Sequence, residues 1–223
     1  MDLDPLKVKV LARMRPESLV DDSASWQRRK SGETRIRILE SATDCLVERG
    51  FARLSINEVT LRAGVSRGAM HHHFPNRLDL VGELIEYLFH QRMRHFLDAY
   101  FKVAQRTADF VATATQTHWK SVQTREYAAI VEIAVAARTD AELDSHYLPA
   151  ARRFDKIWTE EMIRAFPQWE RHADVLQKAS DFTMAAHMGL LIHRPIFRAG
   201  QRSNDVRQLI GDVVQHIYAG AFA

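Results

Sequence analysis

Apolar residues recur at helical spacing along most of the chain. From Thr34, the positions Ile36, Leu39, Ala42, Cys45 and Leu46 fall on one face, and Gly50 stands where a helix C-cap belongs. That predicts a first helix over about 34–49. Ser55-Ile56-Asn57-Glu58 reads as a capping box, with the serine hydroxyl on the Glu58 amide and the glutamate reaching back. A short second helix opens there and stops at Ala63-Gly64-Val65. Ser66 then caps a third, from Arg67 to Phe74-Pro75, so two short helices flank a tight glycine-containing turn, the pattern of a helix-turn-helix. Asn76 caps a long helix reaching about residue 103, with Leu80, Leu84 and Leu88 on its apolar face. Five more helices follow, at about 107–122, 124–137, 140–165, 169–193 and 203–220. Thr139-Asp140-Ala141-Glu142 is a second capping box. Pro149 is expected to kink or divide its helix, Phe166-Pro167 to end it, Arg194-Pro195 to close the next, and Ser203 to cap the last. The first thirty residues show no sustained period; Pro5, Pro16 and the run Asp21-Asp22-Ser23-Ala24-Ser25 read as a flexible arm.

Composition sharpens this. Nine glycines and six prolines in 223 residues are too few for the closely spaced turns of sandwiches and barrels. The expected class is all-α: an arm over residues 1–30, a three-helix domain over 31–78, and a larger helical body over 79–223. The net charge is only +3, yet residues 26–77 carry ten basic and five acidic side chains. A basic module on a near-neutral body points to an anionic partner for one end of the chain. The single cysteine, Cys45, excludes an intrachain disulfide and a multi-cysteine metal site, which predicts a reducing compartment, the cytosol. Cys45 itself lies on an apolar face and reads as core. The N-terminus lacks the pattern of a secretory signal, and no apolar run reaches the ~18 residues of a membrane span.

The residues that carry function are Arg35-Ile36-Arg37-Ile38-Leu39-Glu40-Ser41-Ala42, Glu48-Arg49-Gly50-Phe51, Ser55-Ile56-Asn57-Glu58-Val59, Ala63-Gly64-Val65-Ser66-Arg67-Gly68-Ala69-Met70 and His73-Phe74-Pro75-Asn76-Arg77. These five elements fall in register without a gap, and together they resemble the DNA-binding domain of TetR-family transcriptional regulators. The resemblance implies an all-helical homodimer whose C-terminal domain binds a small inducer and dimerises through its last two helices. It implies a double-stranded operator as partner and most often repression. The chain departs from the family at His71, usually tyrosine, at Ala69, usually threonine, and at Arg77, usually lysine. Arginine can replace lysine on a phosphate, since its planar fork pairs with phosphate oxygens.

Position assigns roles. Ser66, Arg67 and Gly68 open the recognition helix, where Gly68 lets the backbone approach DNA and Arg67 can read guanine. Ser55, Asn57, His71, His72 and Arg77 are expected on phosphates, setting register without reading sequence. Arg28, Arg29 and Lys30 are candidates for a minor-groove or phosphate-binding arm, or for a solubilising tail. Successive helical residues point about 100° apart, so His71-His72-His73 cannot converge on one metal ion, and no metal or other cofactor is expected. In the body, Thr115, His118, Trp119, Met184, His187 and Met188 are the candidate ligand-binding residues, and their character suggests an apolar or aromatic ligand. An enzyme is not expected, because no GxGxxG, P-loop, GxSxG, HExxH or cysteine pair occurs. A DNA-binding protein without an inducer, architectural or controlled by a protein partner, is the alternative.

Overall fold

A computed structural model describes residues 4–16, 19, 26–104, 110–197 and 200–222. Among them the chain is all helical: α1 (Asp4–Arg13), α2 (Trp26–Arg49), α3 (Ile56–Ala63), α4 (Arg67–His73), α5 (Arg77–Ala104), α6 (Phe110–Ser121), α7 (Arg125–Ala137), α8 (Ala141–Ala165), α9 (Ala173–Phe197) and α10 (Gln201–Phe222), with short 3₁₀ turns at Phe51–Arg53 and Pro167–His172. No described helix is long and apolar enough to cross a membrane.

The contacts divide the chain into two units. One comprises residues 11–93 and 125–155. Its core is built from Ile38, Leu39 and Leu46 of α2, Met70 and Phe74 at α4, Leu80, Leu84 and Leu88 of α5, Ile133 of α7 and Leu143 of α8. The helix-turn-helix therefore shares its core with α7 and the start of α8, a different grouping from a cut at residue 78. Ions reinforce the packing. Arg125 of α7 bonds Glu40 and, at 2.7 Å, Asp44 of α2, and Tyr87 also donates to Glu40. Asp44 in turn lies 3.6 Å from Arg62 of α3, which holds Glu48. Burial works against the Arg125 charge, but its carboxylate partners outweigh that and hold its pKa above the ordinary range.

The second unit comprises residues 1–10, 94–124 and 156–223. Its interior includes Leu97, Trp119, Val122, Leu176, Leu190, Ile210 and Val214. Phe96 stacks on Tyr100 at 5.8 Å and meets Trp158 edge-on at 5.3 Å. Burial pushes the Tyr100 and Tyr218 hydroxyls up to about 12.

Several expectations are corrected here. The stretch read as an arm contains α1, whose Val10 is buried, with Lys7 paired to Asp98. The run Asp21 to Ser25 lies outside the described residues. Helix α2 starts at Trp26, eight residues early, because residues 26–31 are all exposed and leave no apolar stripe to detect. Asp140, not Thr139, caps α8: its Oδ1 accepts from the amides of Glu142 and Leu143 at 3.1 and 3.0 Å. Pro149 lies inside an undivided α8 and Pro195 inside α9. Proline's fixed φ is itself helical, so each costs a hydrogen bond without ending its helix. Ser203 lies within α10, two residues past its start.

Candidate nucleic-acid interface

Local chemistry sets the geometry of α3 and α4. Ser55 Oγ accepts from the Glu58 amide at 3.3 Å and Ser66 Oγ from the Ala69 amide at 3.1 Å, so both serines cap as their positions require. Each hydroxyl keeps a proton it can donate to a phosphate oxygen. The second half of the Ser55 box is different: the Glu58 carboxylate pairs with Arg49 at 2.8 Å. Between the helices Gly64 has φ 61° and ψ 36°, the left-handed C-cap conformation. Its amide bonds the Leu61 carbonyl, and the Val65 amide bonds that of Thr60 at 3.3 Å, which closes α3 as a Schellman turn. Val59, Ala63, Met70 and Phe74 are buried and fix the angle between the two helices from inside.

On the outer side, Ser55, Asn57, Ser66, Arg67, Gly68, His71 and His72 are all exposed. The structure thus gathers the proposed base reader and most of the proposed phosphate contacts on two adjacent short helices. Arg67 makes no ion pair among the described residues, which leaves its five N–H donors available. His71 Nδ1 lies 3.3 Å from the Pro75 carbonyl, which orients the ring at the end of α4. His73 is half-buried, and burial above all, with His72 and Arg35 nearby, lowers its pKa.

Arg77 stands differently from its expected role. Its guanidinium lies 4.4 Å over the Phe51 ring, its Nη2 donates to the Phe51 carbonyl at 2.9 Å, and its Nε is buried without a hydrogen-bond partner. It anchors the start of α5 to the turn after α2. Other cations are also committed: Arg35 grips Glu83 with Nε at 2.6 Å from Oε1 and stacks over Phe74, and Arg49 and Arg62 hold the α2–α3 carboxylates. The basic excess over residues 26–77 is therefore partly spent inside the fold. Arg28, Arg29 and Lys30 lie exposed on the first turns of α2, with Lys30 Nζ 5.1 Å over Trp26. They are helix residues rather than members of an arm.

The candidate ligand residues divide. Thr115, Trp119 and His187 line a groove of about 960 Å³ between α6, α9 and α10. His118 stacks on His187 at 5.2 Å, with Nδ1 atoms 2.9 Å apart. Met184 and Met188 do not line it; Met188 is 38% exposed and belongs to an outward row on α9 with Ile192 and Ile196. The lining is also more polar than expected, with Gln116, Lys120, Arg194, Asn204, Arg207 and Asp212 among its residues. Sequence reasoning missed the α10 contribution by following only its apolar stripe. The groove positions Asn204, Gln208, Gly211 and Gln215, none of them in the apolar stripe, recur at spacings of four, three and four, a second face that periodicity could have found.

Comparison with known proteins agrees with the geometry. Residues 38–84 match the model of the bacterial regulatory proteins of the tetR family. The HTH-type transcriptional regulator Rv2912c of Mycobacterium tuberculosis (strain ATCC 25618 / H37Rv) is 34% identical over 123 residues, 54% of this chain and 61% of that protein. The match thus spans about three fifths of that relative's length. Among solved structures, the multidrug binding protein EbrR complexed with imidazole aligns with a TM-score of 0.61 at 15% identity, over 82% of this chain and 93% of that one. A TetR-family member from Streptomyces coelicolor A3 aligns at 0.60 and 17%, over 83% and 98%. At such identities the structural likeness speaks for the fold, while the domain match and the sequence relatives, all helix-turn-helix regulators, speak for DNA-binding control of transcription. The capped α3–α4 pair lies inside the matched segment, so residues 38–84 carry a DNA-binding domain of the tetR-family type, and the chain is similar to helix-turn-helix transcriptional regulators.

Proposed function

We propose that the chain acts as a homodimeric repressor, holding a palindromic or near-palindromic operator until a small molecule binds its body. The observation that carries this reading is the exposed surface of α3 and α4, where Arg67 is free to read a base while Ser55, Asn57, Ser66 and His72 face outward for phosphate contacts. Two recognition helices are needed for a two-fold site, and α9 and α10 carry a surface suited to self-association. Ile192 is 54% exposed, Ile196 67% and Leu209 60%, a density of apolar side chains that water disfavours and a second copy would cover. In this reading Met188 serves the dimer rather than a ligand.

Ligand control is supported by the groove in the body, within the volume range of small-molecule sites, and by the neighbouring fold of EbrR, a multidrug binding protein. A purely architectural DNA-binding role would not call for it. Release requires that the ligand prefer the form whose recognition helices are misplaced for DNA, since equal affinity for both forms shifts nothing. The setting is the cytoplasm, where the chromosome is.

The test is a gel-shift titration of purified protein against the DNA upstream of its own gene, beside size-exclusion chromatography with light scattering. A specific complex of two chains per site is expected, and Ile192→Asp with Leu209→Asp is expected to give monomers that keep their helical circular dichroism but bind the site at least a hundredfold more weakly. A monomeric wild type, or no complex above that on random DNA, would refute the reading.

A further inference from the structure

We propose that the groove between α6, α9 and α10 binds a small organic anion, with its carboxylate on Arg207 and Lys120 and a flat ring against Trp119. This deepens the reading of the body as ligand-responsive and rests on it only for the effect on DNA.

Three features carry the inference. The first is charge: the lining holds three cations, Lys120, Arg194 and Arg207, against one carboxylate, Asp212. A concave surface biased in this way concentrates anions and repels cations. The second is the construction of the site. Thr115, Trp119, His187 and Ser203 are each less than a tenth exposed and form its inner wall, while Lys120 and Arg194 stand exposed where the groove meets water. Arg207 is half-buried, 5.7 Å over the Trp119 ring, and its Nη2 donates to Asn204 Oδ1 at 2.8 Å. That pair fixes the guanidinium beside an aromatic wall and leaves further N–H groups for a carboxylate. The third is His187, whose ring lies 5.4 Å from Trp119 and whose Nδ1 faces His118. Burial, with Arg207 nearby, lowers its pKa to about 4, so at neutral pH it offers a neutral imidazole and not a competing charge. The groove thus couples a fixed arginine fork to a flat apolar wall, a combination that fits an aromatic carboxylate and penalises both a cation and a bare ring.

Isothermal titration of the full-length protein without DNA tests this with three probes: 2-naphthoate, 2-naphthamide, which has the same ring without the charge, and inorganic phosphate. Naphthoate is expected to bind once per chain, at least tenfold more tightly than either of the others. Arg207→Gln and Lys120→Gln are each expected to weaken it at least fivefold with an unchanged melting temperature, and Arg207→Lys to fall between. The proposal is overturned if naphthoate gives no binding at millimolar concentration, if the amide or phosphate binds as well, or if Arg207→Gln leaves naphthoate affinity intact. Naphthoate bound as expected but without effect on operator affinity would uphold the site and count against ligand release.

Discussion

The α3–α4 surface and the α6–α9–α10 groove both display polar side chains, but they are assembled over different distances along the chain. On α3 and α4 the capping hydroxyls are placed by partners three residues away, Ser55 by the Glu58 amide and Ser66 by that of Ala69, and His71 by the Pro75 carbonyl four residues on. In the groove, Thr115 and Trp119 of α6 meet His187 of α9 and Arg207 of α10, so the site exists only once three distant helices have packed. The first kind of site tolerates substitution of its outward side chains and is sensitive to its inner ones. The second couples stability to ligand chemistry, because its wall is also core.

Four measurements would break or sharpen that contrast. Phe74→Ala removes a fully buried ring beneath Arg35, and a loss of about 3–5 kcal/mol in urea unfolding is expected; a loss under 1 kcal/mol would mean that α4 is not fixed from inside. The His187 wall should show in pH. Its folded pKa is about 4 against an ordinary 6.5, so the unfolded chain takes up the proton first, and stability is full above pH 6.5 and falls toward pH 4. The expected decline is up to about 3 kcal/mol, and His187→Gln should flatten it. Arg67→Ala should leave stability alone but cost about 1–3 kcal/mol of specific DNA affinity, with little change on random DNA. Gly64→Ala meets no atom within 4 Å, so its cost is only the strain of φ 61°, about 1 kcal/mol by thermal melting.

The same contrast explains what could be read from sequence. Both serine caps, the Gly64 turn and the end of α8 at Phe166 are short-range events written in adjacent residues, and the structure places them as the pattern requires. Misreadings arose where spacing carries no apolar signal or where the partner is remote. The exposed first residues of α2 left no stripe. Met184 and Met188 lie on the same helix as His187, yet side chains on a helix point about 100° apart from one position to the next, and only the position of α6 and α10 decides which face lines the groove. Likewise Arg77 reads as a phosphate ligand until the Phe51 carbonyl, 26 positions earlier, is brought to its Nη2. The polarity of the groove was hidden for the same reason, since its three cations come from α6, α9 and α10 separately.

The central claim is that two copies of α4 read one operator, and a footprint measures this most directly. Selection of bound sequences from random DNA, followed by hydroxyl-radical footprinting of the winner, is expected to show two inverted half-sites whose centres lie about one helical turn, ~34 Å, or a multiple of it apart. Arg67→Ala should relax one base position in each half-site together. A footprint confined to a single half-site, or selection that yields no shared sequence, would contradict the account.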